Sequence, residues 1–248
     1  MKITYICHSS FSVEFEDKKV VLIFDYYKGI LPLFDKESDI FIFVSHKHFD
    51  HYSKKIFDLG NEYKNITFIL PKEMKMNVKY MDRWNIPAIS RGKIKYVTYN
   101  EMYEFVGPSM KQSLLCVKTL KSTDSGVAYI VECFGKTIYH AGDLNWWVWD
   151  ELSEEKNDSM TKRFQEEISK LRGLEIDVAF LPLDPRQEDK FYWGFDYFMR
   201  NCNVKVAFPM HMWEKYEIID KIKNMELSVK YRDKIMDITV EGQVFEVS

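Results

Sequence analysis

The stretch FVSHKHFDHYS, residues 43–53, decides how this chain is read. Three of the chain's six histidines and an aspartate fall within positions 46–51, directly after the apolar run DIFIFV. His46 and His48 stand two apart just past a strand, so in extended backbone both side chains leave on the same side and can chelate one ion. Asp50 and His51 are adjacent and open the next helical segment, so they point differently and can reach a second ion nearby. A donor set rich in imidazole, with carboxylate and without thiolate, suits Zn2+ first, with Mn2+ or Fe2+ as alternatives and one or two ions in all.

Outward from this stretch, strands come first and helices later, and the alternation then repeats. KITYI, SFSVEFE and KKVVLIFD have the patterning of a strand meander, followed by a loop through Pro32 and the strand DIFIFV. A short helix through Ile56 and Leu59 follows the histidine motif. NITFIL is a strand, and Pro71 is placed to start a helix over PKEMKMNVKYM. KIKYVTY, MYEFV, SLLCVKTL, GVAYIVECF and KTIYH form a second run of strands. A charged helix over 153–172 carries Met160, Phe164, Ile168 and Leu171 at helical spacing, which predicts a core-facing stripe. IDVAFLP and VKVAFP are near-continuous apolar strands, with helices GFDYFMRN and EKYEIIDKIKN between and after them. Two mixed sheets flanked by helices, a four-layer αββα sandwich of the α/β (α+β) class, is the simplest layering that covers so many apolar strands. Residues 1–248 are expected to form one domain, since no linker-like stretch or internal period divides them. Loops leaving one edge of the sheets would then converge.

Composition narrows the function classes. A formal net charge of -3 argues against a broad cationic face for nucleic acid or an anionic membrane, which leaves a small-molecule substrate as the expected partner. Nothing approaches the ~20 apolar residues of a membrane span, and the N-terminus reads as strand rather than as a secretion signal. The four cysteines are scattered without CxxC spacing, as expected of reduced packing residues in a cytoplasmic protein.

HKHFDH matches the HxHxDH signature of the metallo-β-lactamase superfamily of metal-dependent hydrolases, and further segments of this chain resemble that family in order. YHAGD is similar to the segment carrying a bridging aspartate, and FPMHMW to the segment carrying the last histidine ligand. ICHSSFSVEF followed by VVLIFDYY resembles the branch containing ascorbate-phosphate lactonase. The resemblance implies that His46 and His48 hold a first metal, that Asp50, His51 and His211 hold a second, and that Asp143 bridges the two. It further implies that Asp25 orients a ligand imidazole from outside the metal sphere and that His8 lies at the mouth of the site. His8 and His140 are each open to two readings, as members of the site or as hydrogen-bonded histidines packed beside it.

One family ligand is missing. Laid without gaps against the corresponding family segment, LKSTDSGVAYIVE puts Ser122 where a histidine belongs. Asp124, Asp184 or His140 could fill the gap, and Lys121 beside it would add a repelling charge if it pointed inward. If both ions bind, the resemblance implies hydrolysis of a small ester, lactone or phosphodiester, with Asp50 orienting the nucleophile and passing a proton to the leaving group. Trp146, Trp147 and Trp149, just after Asp143, either wall the pocket or seal the joint between sheet and helix. Arg186 and Lys121 are candidates to anchor an anionic substrate, or else form ordinary ion pairs. Two alternatives stand beside the hydrolase: a metal-binding relative with an incomplete first site and little turnover, and a nuclease, disfavoured by the lack of basic surface.

Overall fold

A computed structural model describes residues 1–109 and 113–248. Strands β1 (Lys2–Cys7), β2 (Ser10–Phe15), β3 (Val20–Phe24), β4 (Asp39–Phe43), β5 (Ile66–Pro71) and β6 (Ile94–Val97) come first. Then follow β7 (Met102–Val106), β8 (Ser113–Lys121), β9 (Val127–Cys133), β10 (Lys136–His140), β11 (Glu175–Pro182), β12 (Asn203–Met210) and the short β13 (Val244–Glu246). The first sheet has the order β13-β1-β2-β3-β4-β5-β6, and the second β12-β11-β10-β9-β8-β7. Both are mixed: pairing is parallel from β3 to β6 and from β10 to β12, and antiparallel elsewhere.

The continuous apolar character of β3 and β4 follows from burial on both faces. Successive side chains of a strand alternate between faces. Val20, Leu22, Phe24, Phe41 and Phe43 therefore meet Val117, Tyr129, Ile138 and Phe180 of the second sheet. Val21, Ile23, Ile40 and Ile42 pack on the other side against Ile56, Phe57, Tyr63 and Met74. On the far side of the second sheet lie the helices Glu154–Ser169 and Trp193–Asn201, with Tyr139 stacked on Phe198 at 4.8 Å between ring centroids. The layers run helix, sheet, sheet, helix.

Three local expectations change. Asp50 and His51 do not open a helical segment but lie in a turn, and the next one, a 3-10 helix, starts at Lys54. Pro71 does not open a helix; it ends β5, paired with Val97, and a 3-10 turn Lys72–Met74 follows. The helix begins later, at Val78, where the Asn77 side chain accepts a hydrogen bond from the Tyr80 backbone N–H at 2.9 Å. On the long helix, Phe164, Ile168 and Leu171 enter the core, whereas Met160 is half-buried and lines a cavity instead.

Strands β1, β3, β4, β8, β10, β11 and β12 all run toward the same edge. There the sheets are tied by backbone hydrogen bonds, Val127 N–H to the Ser45 carbonyl at 3.0 Å and His211 N–H to the His8 carbonyl at 3.2 Å. The chain crosses Ser45 so closely that a Cβ on Gly126, whose φ is +73°, would lie 1.9 Å from the Ser45 oxygen. Only glycine fits there. The register of the motif after β4 is thereby fixed against the second sheet.

Candidate metal centre

Each chemically distinctive residue of the chain leaves one of these strand ends. His8 follows β1, Asp25 follows β3, and positions 46–51 follow β4. Asp124 lies between β8 and β9, Asp143 follows β10, Asp184 follows β11, and His211 follows β12. Three of them, His8, Asp25 and His211, hold positive φ values of 50°, 44° and 65°, a conformation that non-glycine residues keep only where surrounding structure imposes it.

The side chains form two adjacent groups. His8, Asp50, His51 and His211 are all buried and can each offer one donor atom within 4.8 Å of the others; beside them the donor atoms of His46, His48, Asp124 and Asp143 lie equally close, with His46 and Asp143 buried and His48 and Asp124 exposed. Asp143 lies between the groups: its Oδ2 is 3.3 Å from His46 Nε2, and its Oδ1 is 3.1 Å from His51 Nε2 and 3.5 Å from His211 Nε2. Asp50 Oδ2 is 3.7 Å from His211 Nε2 and 3.6 Å from His8 Nε2.

Around these groups runs a layer of orienting hydrogen bonds. His51 donates Nδ1–H to Asp25 Oδ2 at 2.7 Å, and His211 donates Nδ1–H to Asp184 Oδ2 at 2.8 Å. Ser45 donates its hydroxyl to Asp25 Oδ2 at 2.6 Å, so its oxygen is left to accept from His46 Nδ1 at 2.9 Å. In His51 and His211, Nδ1 is occupied by a carboxylate and Nε2 faces the centre, while His46 Nε2 lies 2.9 Å from His48 Nδ1. His8 Nε2, His51 Nε2, His211 Nε2 and Asp143 Oδ1 are buried with no hydrogen-bond partner among the described residues. An unpartnered buried polar atom costs roughly 1–3 kcal/mol, so four that converge fit a ligand absent from protein atoms alone. The nitrogen and carboxylate donor set fits a divalent transition metal.

Charge follows from this crowding. Burial would raise the Asp143 carboxyl, but His51, His211 and His46 around it hold it well below its ordinary value. Burial likewise opposes charge on His51, yet Asp143 on one side and Asp25 on the other raise it well above the ordinary imidazole value of 6.5. For Asp50, too, burial is outweighed by His8, His51 and His211, and its carboxyl lies far below the usual range. Burial pulls His8 down to about 4, although Asp50 beside it works in the opposite sense.

Several expectations are resolved by placement. Asp124 stands at the gap left by Ser122, with its Oδ2 3.6 Å from His48 Nδ1; Ser122 itself is buried and accepts the Asp124 backbone N–H. Asp184 is not in that gap: its carboxylate is taken by His211, by the Arg186 side chain through Nε and Nη2, and by the Arg186 backbone N–H. His140 is not a donor to either group, because Nε2 donates to the Ser9 carbonyl at 2.9 Å and Nδ1 accepts from the Gly142 backbone N–H, while its ring stacks on Phe24. Lys121 lies apart from the cavity, with its ammonium 5.1 Å from the Tyr99 ring centre. Trp146 seals the fold, donating Nε1–H to Thr161 and packing on Phe164 and Trp193. Trp147 and Trp149 line a cavity of about 560 Å³ over the two groups, together with Arg186, Trp213, Phe49, Leu152 and Met160. Ser45 and Trp213 were missed in the sequence, although Ser45 directly precedes His46 and Trp213 closes the FPMHMW segment.

A two-sheet sandwich with paired imidazole–carboxylate groups at its strand ends is the architecture of a class of metal-dependent hydrolases. Residues 2–159 match the family described as beta-lactamase superfamily domain, and the chain belongs to that family as a metal-dependent hydrolase. The match ends before β11 and β12, so Asp184 and His211 lie beyond it. No curated protein matches the chain. Among solved structures, the metallo-β-lactamase fold protein YhfI from Bacillus subtilis superposes with a TM-score of 0.61 at 12% identity, covering 98% of each chain. The short form of human tRNase Z gives 0.58 at 11% identity over 100% of each chain. Zn(2+)-bound PqqB from Methylobacterium extorquens gives 0.51 at 12% identity, covering 96% of this chain and 87% of its own. At these identities the likeness is one of fold. Among the described residues, no helix is long and apolar enough to cross a membrane.

Proposed function

We propose that this protein hydrolyses a small ester, lactone or phosphodiester, using water activated by divalent metal held in the two adjacent groups. The observation that carries the reading is the convergence of buried, unpartnered His8 Nε2, His51 Nε2, His211 Nε2 and Asp143 Oδ1, with the other nitrogens of His51 and His211 already tied to carboxylates. Asp50, His51 and His211, with His8 beside them, would hold one ion; His46, His48 and Asp124 would hold the other; Asp143 would serve both. Zinc is the favoured metal, from the nitrogen and oxygen donors and from the zinc-bound relative PqqB. Such ions supply Lewis-acid charge and lower the pKa of bound water from near 16 to about 7.

The protein groups then divide the remaining work. Asp50 stays ionised at neutral pH, since its carboxyl lies far below the usual range, and accepts the hydrogen bond that orients the attacking water. Asp25 and Asp184 keep His51 and His211 in the Nδ1–H form. Trp147, donating its indole N–H to the Asp143 carbonyl at 2.9 Å, holds the cavity wall in place beside the reacting centre.

Asp124 at the gap beside Ser122 favours a working first group over a relative without turnover. Among the described residues the cavity wall carries Arg186 as its single cation, and its guanidinium is engaged by Asp184, which counts against a nuclease despite the likeness in fold to tRNase Z. The free cysteines agree with a cytoplasmic setting. Because β13 near the end of the chain pairs with β1 at its start, one domain over 1–248 is the favoured organisation. Elemental analysis of purified protein, followed by assay of the stripped and metal-restored enzyme on ester, lactone and phosphodiester substrates, tests the proposal. Asp50→Ala should abolish turnover in a folded, metal-loaded protein, and native turnover in that variant would overturn the assignment.

A further inference from the structure

We propose that the substrate is an uncharged ester or lactone carrying an aromatic or medium-length aliphatic substituent, which the cavity binds against its tryptophan wall. This rests on the hydrolytic reading of the same site and adds the class of molecule it takes. In the reaction, water adds to the acyl carbon, the acyl C–O bond breaks, and the products are a carboxylic acid and an alcohol.

The cavity holds about 560 Å³, far more than a reacting ester group needs. Its polar groups lie on the floor, where the metal-binding groups meet. Above them the wall is apolar. Trp147 and Trp149 stand parallel, 6.0 Å apart with 4° between ring planes, and Trp213 forms a further side. Trp147 is only 5% exposed and is pinned to the Asp143 carbonyl, so this wall has a fixed position relative to the reacting centre. At the rim, Phe49 is 76% exposed and Leu152 37% exposed, apolar surface left in water where an apolar ligand would cover it.

Charge selects in the same direction. The lining carboxylates Asp50, Asp124 and Asp143 are the groups that would hold metal, so their charge is committed there, and the one cation of the wall among the described residues is Arg186. Arg186 is already engaged: Nε and Nη2 donate to Asp184, and the guanidinium lies 4.5 Å from the centre of the Trp213 ring. It therefore buttresses Asp184 and, through it, His211, rather than waiting for an anion. A phosphodiester or dicarboxylate would find the wall's guanidinium already engaged, whereas an aryl or alkyl group meets ring faces.

A ladder of 4-nitrophenyl esters from acetate to octanoate, run on metal-loaded enzyme beside bis(4-nitrophenyl) phosphate, tests this. We expect kcat/KM to rise by about fourfold per methylene until the cavity is filled and then to level off, with the phosphodiester slower throughout. Trp149→Ala should flatten the ladder and Trp149→Phe should restore most of its slope, mainly through KM. A flat ladder in the native enzyme, or faster phosphodiester cleavage, overturns the proposal. Should no ester be cleaved, tryptophan fluorescence separates the two readings. Saturable quenching by 1-naphthyl methyl ketone but not by 1-naphthyl phosphate would support the cavity assignment while overturning hydrolysis. Equal quenching by both, or by neither, would overturn the cavity assignment itself.

Discussion

Replacing Asp25 with asparagine should weaken metal binding in both groups at once, because one carboxylate orients imidazoles of each. Asp25 is fully buried and accepts from the Ser45 backbone N–H, from the Ser45 hydroxyl and from His51 Nδ1. Through the Ser45 hydroxyl it also sets His46. An asparagine amide keeps one acceptor oxygen but turns an NH2 toward donors. If that NH2 faces His51 Nδ1, the ring proton moves to Nε2 and blocks the nitrogen that should bind metal. The Ser45 hydroxyl shares that same acceptor position, so it too can no longer donate there while accepting from His46; with the amide turned the other way, the NH2 instead opposes the Ser45 backbone N–H. Losing an orienting partner of this kind costs 10–100-fold in metal affinity, or about 1.4–2.8 kcal/mol. Asp184→Asn is the comparison: among the imidazoles of the two groups Asp184 bonds only His211, so only one binding event should weaken. Stripped wild-type, Asp25→Asn and Asp184→Asn proteins would be titrated with Zn2+ against a chelator of known affinity, with circular dichroism confirming the fold. An Asp25→Asn protein that binds two ions with native affinity, or loses affinity at one site only, would refute the shared-carboxylate argument.

Further outcomes follow from the same geometry. The group of His8, Asp50, His51 and His211 should fill first, since the side chains of His48 and Asp124 in the other group are 46% and 50% exposed and must be ordered by the metal; Asp124→Ala should weaken only the second event in a stoichiometric titration, and Ser122→His should tighten it. His51 has a raised folded pKa, so in the metal-free protein its protonation stabilises fully below pH 6.5 and is lost as pH rises through the elevated value. Metal must displace that proton, so calorimetry in buffers of different ionisation enthalpy should show proton release and tighter binding at higher pH; pH-independent affinity would count against His51 as a ligand. Burial would raise Asp184, but His211 and Arg186 lower it to about 2 from 3.8, a stabilisation present above pH 3.8 and lost as pH falls through the folded value. It amounts to about 2 kcal/mol at most, and acid titration of the metal-free protein should show Asp184→Asn without that loss. Gly126→Ala should destabilise by several kcal/mol, on the order of 3 or more, because its Cβ would meet the Ser45 carbonyl at 1.9 Å in a backbone region unfavourable to alanine; a melting temperature within 2–3 °C of native, by the order-of-magnitude scaling for a chain of this size, would contradict the close approach.

The sequence by itself determined the layered architecture and the identity of the chemically active segments. Residues Val20–Phe24 of β3 and Ile40–Phe43 of β4 are all apolar because each face of the first sheet packs on another layer, and that burial is written directly into composition. The spacing of His46, His48, Asp50 and His51 is likewise local, so the motif is legible in sequence, although the chain carries it in irregular backbone and a turn past the end of β4. The tertiary structure alone decided which distant residues complete each group. Asp124, two residues on from Ser122, comes to lie 3.6 Å from His48 because the turn into Gly126 carries its carboxylate there, whereas Asp184, an equal candidate on residue type, is drawn to His211 and Arg186. His140 sits in the same motif as Asp143 but has both ring nitrogens taken by backbone. Trp146 and Trp147 are neighbours of identical chemistry, yet one packs on the long helix and the other walls the cavity. In each case the choice depends on which side chains arrive from strands far apart in sequence, and a donor's role is set by the partner that occupies its other atom.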